Sequence, residues 1–267
     1  MKMHWFWFIS LVLLASCSVN PMDSPEELVE SEASSEDYYL DSTFDWGDFN
    51  EGDFEEYTEP SYNASRQRFV DLVHTKIEAN LNWEDSQLNG KATLSMKPHF
   101  YELDSVVLDA KGMEIKSITL SGKELSYDYS NGNTLTVYLD KIYKKDELIT
   151  FTVDYIAKPE ERETSGSAAI TSDKGLYFIN PKGEEDGKMT QLWTQGETEA
   201  NSVWFPTIDA PNMKSSQEVL LTVDNKYTTL SNGKLISSKK NADGTRTDYW
   251  KQDLPHAPYL FMLAVGE

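Results

Sequence analysis

The side chains best able to hold a metal or attack a carbonyl are few and scattered: histidines at positions 4, 74, 99 and 256, and a single cysteine at 17. A zinc site gathers three or four such ligands, and sequences announce it by close paired spacings such as His-Glu-x-x-His. No two of His4, His74, His99 and His256 stand at such a spacing. Cys17 has no second cysteine to pair with, so no internal disulfide can form and no thiol cluster can be built. The nucleophile turn Gly-x-Ser-x-Gly, a phosphate-cradling glycine loop and a dinucleotide fingerprint are all missing. Asp48, Asn50 and Asp53 resemble part of a calcium loop, but Asp53 stands where that loop requires glycine and no glutamate closes it. Asn63-Ala64-Ser65 is a glycosylation sequon in letters only. What remains is carboxylate chemistry after residue 191, where Glu197 and Glu199 lie two positions apart and share a face if the segment is extended. An isolated glutamate is ordinarily a solvated loop group, so these residues need a context before they mean anything.

That context starts with the elements available to position them. The 267 residues are 39% hydrophobic and 12% aromatic, enough to bury a core in one or two domains. The formal charge of -21 is unevenly spread: residues 21 to 60 hold 15 Asp or Glu and no Lys or Arg. From residue 61 onward 30 acids face 23 bases, an ordinary globular surface. A net negative field repels phosphate backbones, which argues against a nucleic-acid partner. A one-sign run resists packing, so residues 17–62 read as a disordered acidic tether, with Tyr38, Tyr39, Phe44, Trp46, Phe49, Phe54 and Tyr57 along it.

Ahead of the tether, Lys2 and the apolar stretch from Trp5 to Leu14 read as an export signal over residues 1–16, too short to span a bilayer permanently. Leu14-Ala15-Ser16-Cys17 resembles the bacterial lipobox, which implies lipidation of Cys17. Ser18 offers no obvious retention signal, so the expected location is the outer membrane of a bacterial envelope, reached through the lipid anchor.

Residues 63–267 carry a dominant period of two. Val73, Thr75, Ile77, Ala79, Leu81 and Trp83 alternate with His74, Lys76, Glu78, Asn80 and Asn82, the pattern of a half-buried strand. Asn89-Gly90 reads as a turn leading to a partner strand through Ala92, Leu94 and Met96, ended by Pro98. The alternation recurs at Val106 and Leu108, at Ile118 and Leu120, and at Leu125, Tyr127 and Tyr129. After an Asn131-Gly132 turn it continues through Leu135, Val137 and Leu139, then Ile149 to Tyr155. Lys158-Pro159 opens a polar loop to about Ser172. No long segment keeps a helical period, so the expectation is an all-β, antiparallel domain of hairpins in series.

Thr194-Gln195-Gly196-Glu197 followed by Trp204-Phe205-Pro206-Thr207-Ile208-Asp209-Ala210-Pro211-Asn212-Met213-Lys214 resembles the N-terminal β-domain of the aminopeptidase N family of zinc metallopeptidases. That domain carries Thr-Gln-x-Glu/Gln and then Phe-Pro-x-x-Asp-x-Pro-x-x-Lys. Leu230-Ser231-Asn232-Gly233 and the run from Pro255 through Tyr259-Leu260 to Ala264-Val265-Gly266 match further family segments in order. The resemblance covers about 200 residues and implies a saddle-like β-sandwich. It also implies a role for Glu197, as the carboxylate that binds the free α-ammonium of a peptide substrate. Charge-assisted bonds to that ammonium fix which peptide bond lies over the metal. Phe205, Pro206, Asp209 and Pro211 are expected to be structural, the prolines stiffening a turn and Asp209 accepting backbone hydrogen bonds. Thr207 and Ala210 replace residues that are often Cys and acidic in the family. An arginine frequent just before Phe-Pro has no counterpart between Glu197 and Trp204.

In the family the second amine-binding glutamate, the His-Glu-x-x-His motif and the remaining zinc ligand follow this domain. The resemblance therefore implies no cofactor in these 267 residues and zinc in the full-length enzyme. The expected partners are peptide N-termini and a missing catalytic domain or chain. Hydrolysis by this chain alone is not expected, because without zinc nothing activates water or polarises the carbonyl. A stand-alone lipid-anchored binding module is the rival reading. A carbohydrate-binding sandwich is a third, and it would need exposed aromatic platforms.

Overall fold

The computed structural model describes residues 64–164 and 172–267. The proposed signal, Cys17, the acidic tether and the Asp48-Asn50-Asp53 segment lie outside the described residues.

Fifteen strands make up the described part. The first eight are β1 (Val70–Asn82), β2 (Gln87–Pro98), β3 (Leu103–Asp109), β4 (Met113–Leu120), β5 (Lys123–Glu124), β6 (Tyr127–Asp128), β7 (Thr134–Tyr143) and β8 (Ile149–Ala157). Then come β9 (Leu176–Ile179), β10 (Gln191–Thr194), β11 (Ser215–Asp224), β12 (Thr228–Ser231), β13 (Lys234–Lys240), β14 (Thr245–His256) and β15 (Leu263–Gly266). Three single-turn 3-10 helices, at Pro159–Glu161, Asn201–Val203 and Pro258–Leu260, complete the described elements.

The strands form an eight-stranded sheet, a four-stranded sheet in the order β12-β15-β10-β9 and a three-stranded sheet in the order β3-β7-β6. The large sheet runs β13-β14-β11-β1-β2-β8-β4-β5. The all-β expectation holds. Pairing is antiparallel except between β1 and β11, which run parallel with Ile77 beside Val219 and Ala79 beside Leu221. Inward residues of all three sheets share one apolar cluster, including Ile77, Leu94, Leu108, Leu135, Phe151 and Leu263. Each such side chain contributes roughly 1.5–3 kcal/mol on burial.

Three local expectations are corrected. Val73 was placed on the apolar face with Thr75 and Ile77, but it is 42% exposed. The register slips between Leu72 and His74, so Val70 and Leu72 take the buried positions ahead of this bulge. Asn89-Gly90 is not a turn: both residues lie inside β2, and the chain reverses at residues 83–86. Gly90 meets a different demand, since a Cβ there would lie 2.4 Å from the ring of buried Tyr155. Nor are the strands simply hairpins in series. β2, β4 and β8 join the large sheet while β3, β6 and β7 join the small one, so the chain crosses repeatedly between layers. The Asn131-Gly132 turn is present, closed by Gly132 N–H donating to Tyr129 O at 3.3 Å.

Candidate functional site

The residues singled out by sequence converge on one end of the four-stranded sheet. β10 pairs with β15 through Trp193 opposite Ala264, and there the backbone ladder stops. Thr194 extends it by side chain, its Oγ1 accepting the Leu263 N–H at 3.0 Å. A threonine suits this place because its hydroxyl substitutes for a backbone group as the chain turns away. Gln195 then donates its N–H to Gly175 O at 3.0 Å.

Gly196 is buried, and a Cβ there would stand 2.3 Å from Tyr259 O and 2.5 Å from the Asn201 amide, so the backbone passes where no side chain fits. Its carbonyl accepts the Ala200 N–H at 2.9 Å, closing a five-residue turn. Glu197, Thr198 and Glu199 form the exposed crest of that turn, and the Glu197–Thr198 peptide is cis. Among the described residues Glu197 has no hydrogen-bonded or ionic partner. Lys111, the nearby cation, is already engaged: its Nζ donates to Glu199 O and its N–H to Ser202 O.

Ten consecutive residues, 201–210, are buried behind this crest. Phe205 is fully buried, packed edge-on to Trp204 at 4.4 Å and stacked on Phe261 at 5.2 Å between ring centres. Pro206 is buried beside it. Thr207 pairs with Asp109 in an isolated antiparallel bridge. Asp209 accepts the Ser202 N–H at 2.8 Å and donates its own N–H to Asp109 Oδ2 at 2.8 Å, while Arg66 forms an ion pair with that same Asp109 carboxylate. Burial pushes the Asp209 carboxyl up to about 6, partly opposed by the Ser202 hydrogen bonds. Pro211 is exposed in a turn closed by Met213 N–H donating to Ala210 O at 3.0 Å. Pro at the second position of such a turn matches its fixed φ.

Sequence reasoning missed Asn201. This fully buried amide donates to Pro258 O at 2.6 Å and Phe261 O at 2.8 Å, and its Oδ1 accepts the Trp204 indole N–H at 2.7 Å. The segment it holds, 258–263, is gripped from its other flank too. Ser231 Oγ donates to Met262 O at 2.8 Å, and Asn232 both accepts from Met262 N and donates to Leu260 O. The Thr-Gln, Leu-Ser-Asn and closing-strand motifs thus meet around one short stretch of backbone. The available signal was a lone amide inside the run Val203-Trp204-Phe205 and its neighbours, which a polar residue occupies only if its bonds are met.

His74 and His256 lie on different elements, and His4 lies outside the described residues. His256 stacks on Phe261 and bonds Gln217 Oε1 at 3.0 Å, and burial holds its pKa below the usual imidazole value. His74 bonds Ser216 on the large sheet.

The model of the Peptidase M1 N-terminal domain matches residues 61–260. This chain belongs to that family. It is 25% identical over 193 residues to the probable aminopeptidase 1 of Sulfurisphaera tokodaii, covering 72% of this chain and 21% of that protein. To the leukotriene A-4 hydrolase of Xenopus laevis it is 22% identical over 220 residues, covering 78% and 33%. It therefore spans about a fifth to a third of these curated relatives. Among solved structures, the M1 zinc metallopeptidase of Deinococcus radiodurans superposes with a TM-score of 0.63 at 20% identity, covering 76% of this chain and 43% of that one. The fold is thus the M1 N-terminal β-sandwich, and the homologues are zinc metallopeptidases. Among the described residues no three His, Cys, Asp or Glu side chains come together to hold a metal, so the residues present do not fit zinc.

Proposed function

We propose that this domain supplies the amine-recognition carboxylate of an exported zinc aminopeptidase, with Glu197 receiving the free α-ammonium of the peptide to be trimmed. The observation that carries the reading is the state of Glu197: among the described residues, an exposed, unpartnered carboxylate on the crest of a turn whose ends, Gly196 and Ala200, are buried and joined by a backbone hydrogen bond. A rigid base fixes where the charge stands, and an ammonium held there sets which peptide bond reaches the reacting groups.

Magnitude decides what else is needed. An exposed carboxylate attracts an ammonium by only about 1 kcal/mol, because water screens both. Useful recognition requires a second surface that covers the pair and excludes water, and in this reading the metal-bearing part of the enzyme provides it. The chain alone then neither holds zinc nor turns over peptides. In the assembled enzyme, Glu197→Gln is expected to lower kcat/KM for a free-amine substrate by about 30-fold or more, the 2 kcal/mol scale of a lost charge-assisted bond. Unchanged kinetics in that variant, or substantial aminopeptidase turnover by the 267 residues alone, would sink the reading.

We place the protein at a bacterial outer membrane, lipidated at Cys17 and standing off the surface on the acidic stretch before residue 63. The support is the order Lys2, apolar run, Leu14-Ala15-Ser16-Cys17, then 15 uncompensated acids. Mass spectrometry of the mature N-terminus should find acylated Cys17, and Cys17→Ser should release the protein from the membrane fraction; an unmodified Cys17 in membrane-bound protein refutes it.

A further inference from the structure

Among the described residues the Glu197 side chain has no partner, so the crest that carries it must be fixed through its backbone. We propose that Asn201 is the positioning residue for Glu197, a role that rests on the reading of Glu197 given above. Three features of the geometry point to it. Asn201 is four residues from Glu197 and fully buried, so its amide cannot fall back on water if a bond is lost. Its amide nitrogen lies directly beneath Gly196, at the distance where even a single added carbon would collide. Its three bonds reach two different pieces of structure: the 258–263 segment, through the Pro258 and Phe261 carbonyls, and the Trp204 indole.

Asn201 therefore joins the base of the crest to the 258–263 segment and to the aromatic pair Trp204 and Phe205. Trp204 is tied in turn to the large sheet, its carbonyl accepting the Tyr155 hydroxyl at 2.9 Å. The loop is also held by Gln195 N–H to Gly175 O, by Ala200 N–H to Gly196 O, and by the Lys111 Nζ and Ser202 Oγ bonds to Glu199 O, but none of these reaches residues 258–261. Asn201 supplies that link. It touches no substrate in this scheme; it acts on the amine through the backbone of Gly196.

Asn201→Asp is the informative change, because it keeps an acceptor for Trp204 but removes both donors and faces a carboxylate toward two carbonyls. In the 267-residue chain, hydrogen exchange over residues 195–200 and 258–261 should speed up at least 10-fold, while exchange in β1 and β2 stays as it was. In the assembled enzyme the same variant should raise KM for a free-amine substrate about 10-fold and change kcat less than twofold. Asn180→Asp is the control for a merely structural effect. Asn180 is also a buried asparagine that donates to two carbonyls, Glu185 O and Lys188 O, at the opposite end of the β9–β10 hairpin. It should leave KM unchanged.

If Asn201→Asp leaves the exchange of residues 195–200 unaltered, the proposal is wrong whatever the kinetics say. If Asn201→Asp loosens the loop but Glu197→Gln has no kinetic effect, Asn201 still holds the loop, but the amine reading falls and the positioning role falls with it. If Glu197→Gln is damaging and Asn201→Asp is kinetically silent, the amine reading stands and the positioning role falls. Should Asn201→Asp not fold, the wild-type chain still decides: both Asn201 side-chain N–H protons must exchange slowly by NMR, and rapid exchange of either overturns the assignment.

Discussion

β13 and the segment 201–210 invert the usual link between regularity and burial. β13, Lys234–Lys240, is a ladder-paired strand at the edge of the large sheet with one register shift between Leu235 and Ser237, and all seven of its residues are exposed, Leu235 and Ile236 included. The segment 201–210 has one 3-10 turn and no strand, yet all ten of its residues are buried. In the strand, one neighbour, β14, satisfies the backbone by ladder bonds, and the side chains are free to be lysine or serine. The buried segment has only the isolated Thr207–Asp109 bridge and short turn bonds, so side chains supply further links: Asp209 takes the Ser202 N–H, and Asn201 ties the segment to carbonyls 57 and 60 residues away. Irregular buried backbone therefore leans on particular side chains. It is also where a fixed position for one exposed carboxylate can be built.

The largest expected contrast between the two regions is in packing. Phe205→Ala removes a fully buried ring from between Trp204 and Phe261, and unfolding in denaturant should show a loss of about 3–5 kcal/mol. Leu235→Ala in β13, 48% exposed, should stay within about 0.5 kcal/mol. Equal losses would show that the edge strand is covered in solution, and the contrast would collapse.

Charge sharpens the comparison with a smaller effect. Asp209 titrates at about 6 in the folded chain because burial disfavours its carboxylate, so the folded state holds its proton more tightly than the unfolded state. The stability linked to that proton is fully present below the ordinary carboxylate range and is lost as pH rises through 6. Asp209→Asn keeps an acceptor for Ser202 N–H and removes the titration. The variant should therefore gain on the wild type by at most about 3 kcal/mol at pH 7, and this gain should shrink towards pH 4. Thermal unfolding of the two proteins between pH 4 and pH 7 checks this, and a difference that does not vary with pH contradicts the buried-carboxylate account.

Several placements were legible in the residue order. Glu197 was singled out by the motif around it and stands exposed, Asp209 accepts a backbone N–H, Pro211 lies in a turn, and Phe205 and Pro206 are buried. The amide of Asn201 beside an apolar run was a local signal, but its partners near residue 260 were not legible, because nothing local says where a bond of that span ends. Thr194, Ser231 and Asn232 matched family segments separately, but their joint grip on residues 260–263 is a property of the assembled chain.

The sequence by itself determined that this is a strand-built domain, which residues of most strands point inward, where its one suggestive carboxylate lies and to which family it is similar. These follow from local quantities: a side-chain period of two, a charge count, and short motifs whose residues are neighbours. Only the tertiary structure decided that β1 runs parallel to β11, that β3 pairs with β7 past three intervening strands of the chain, that Gly90 makes room for Tyr155 and that a bulge turns Val73 outward. Alternation states that a face is buried without naming what covers it. The choice of neighbour is made by hydrogen bonds and contacts between residues tens to more than a hundred positions apart.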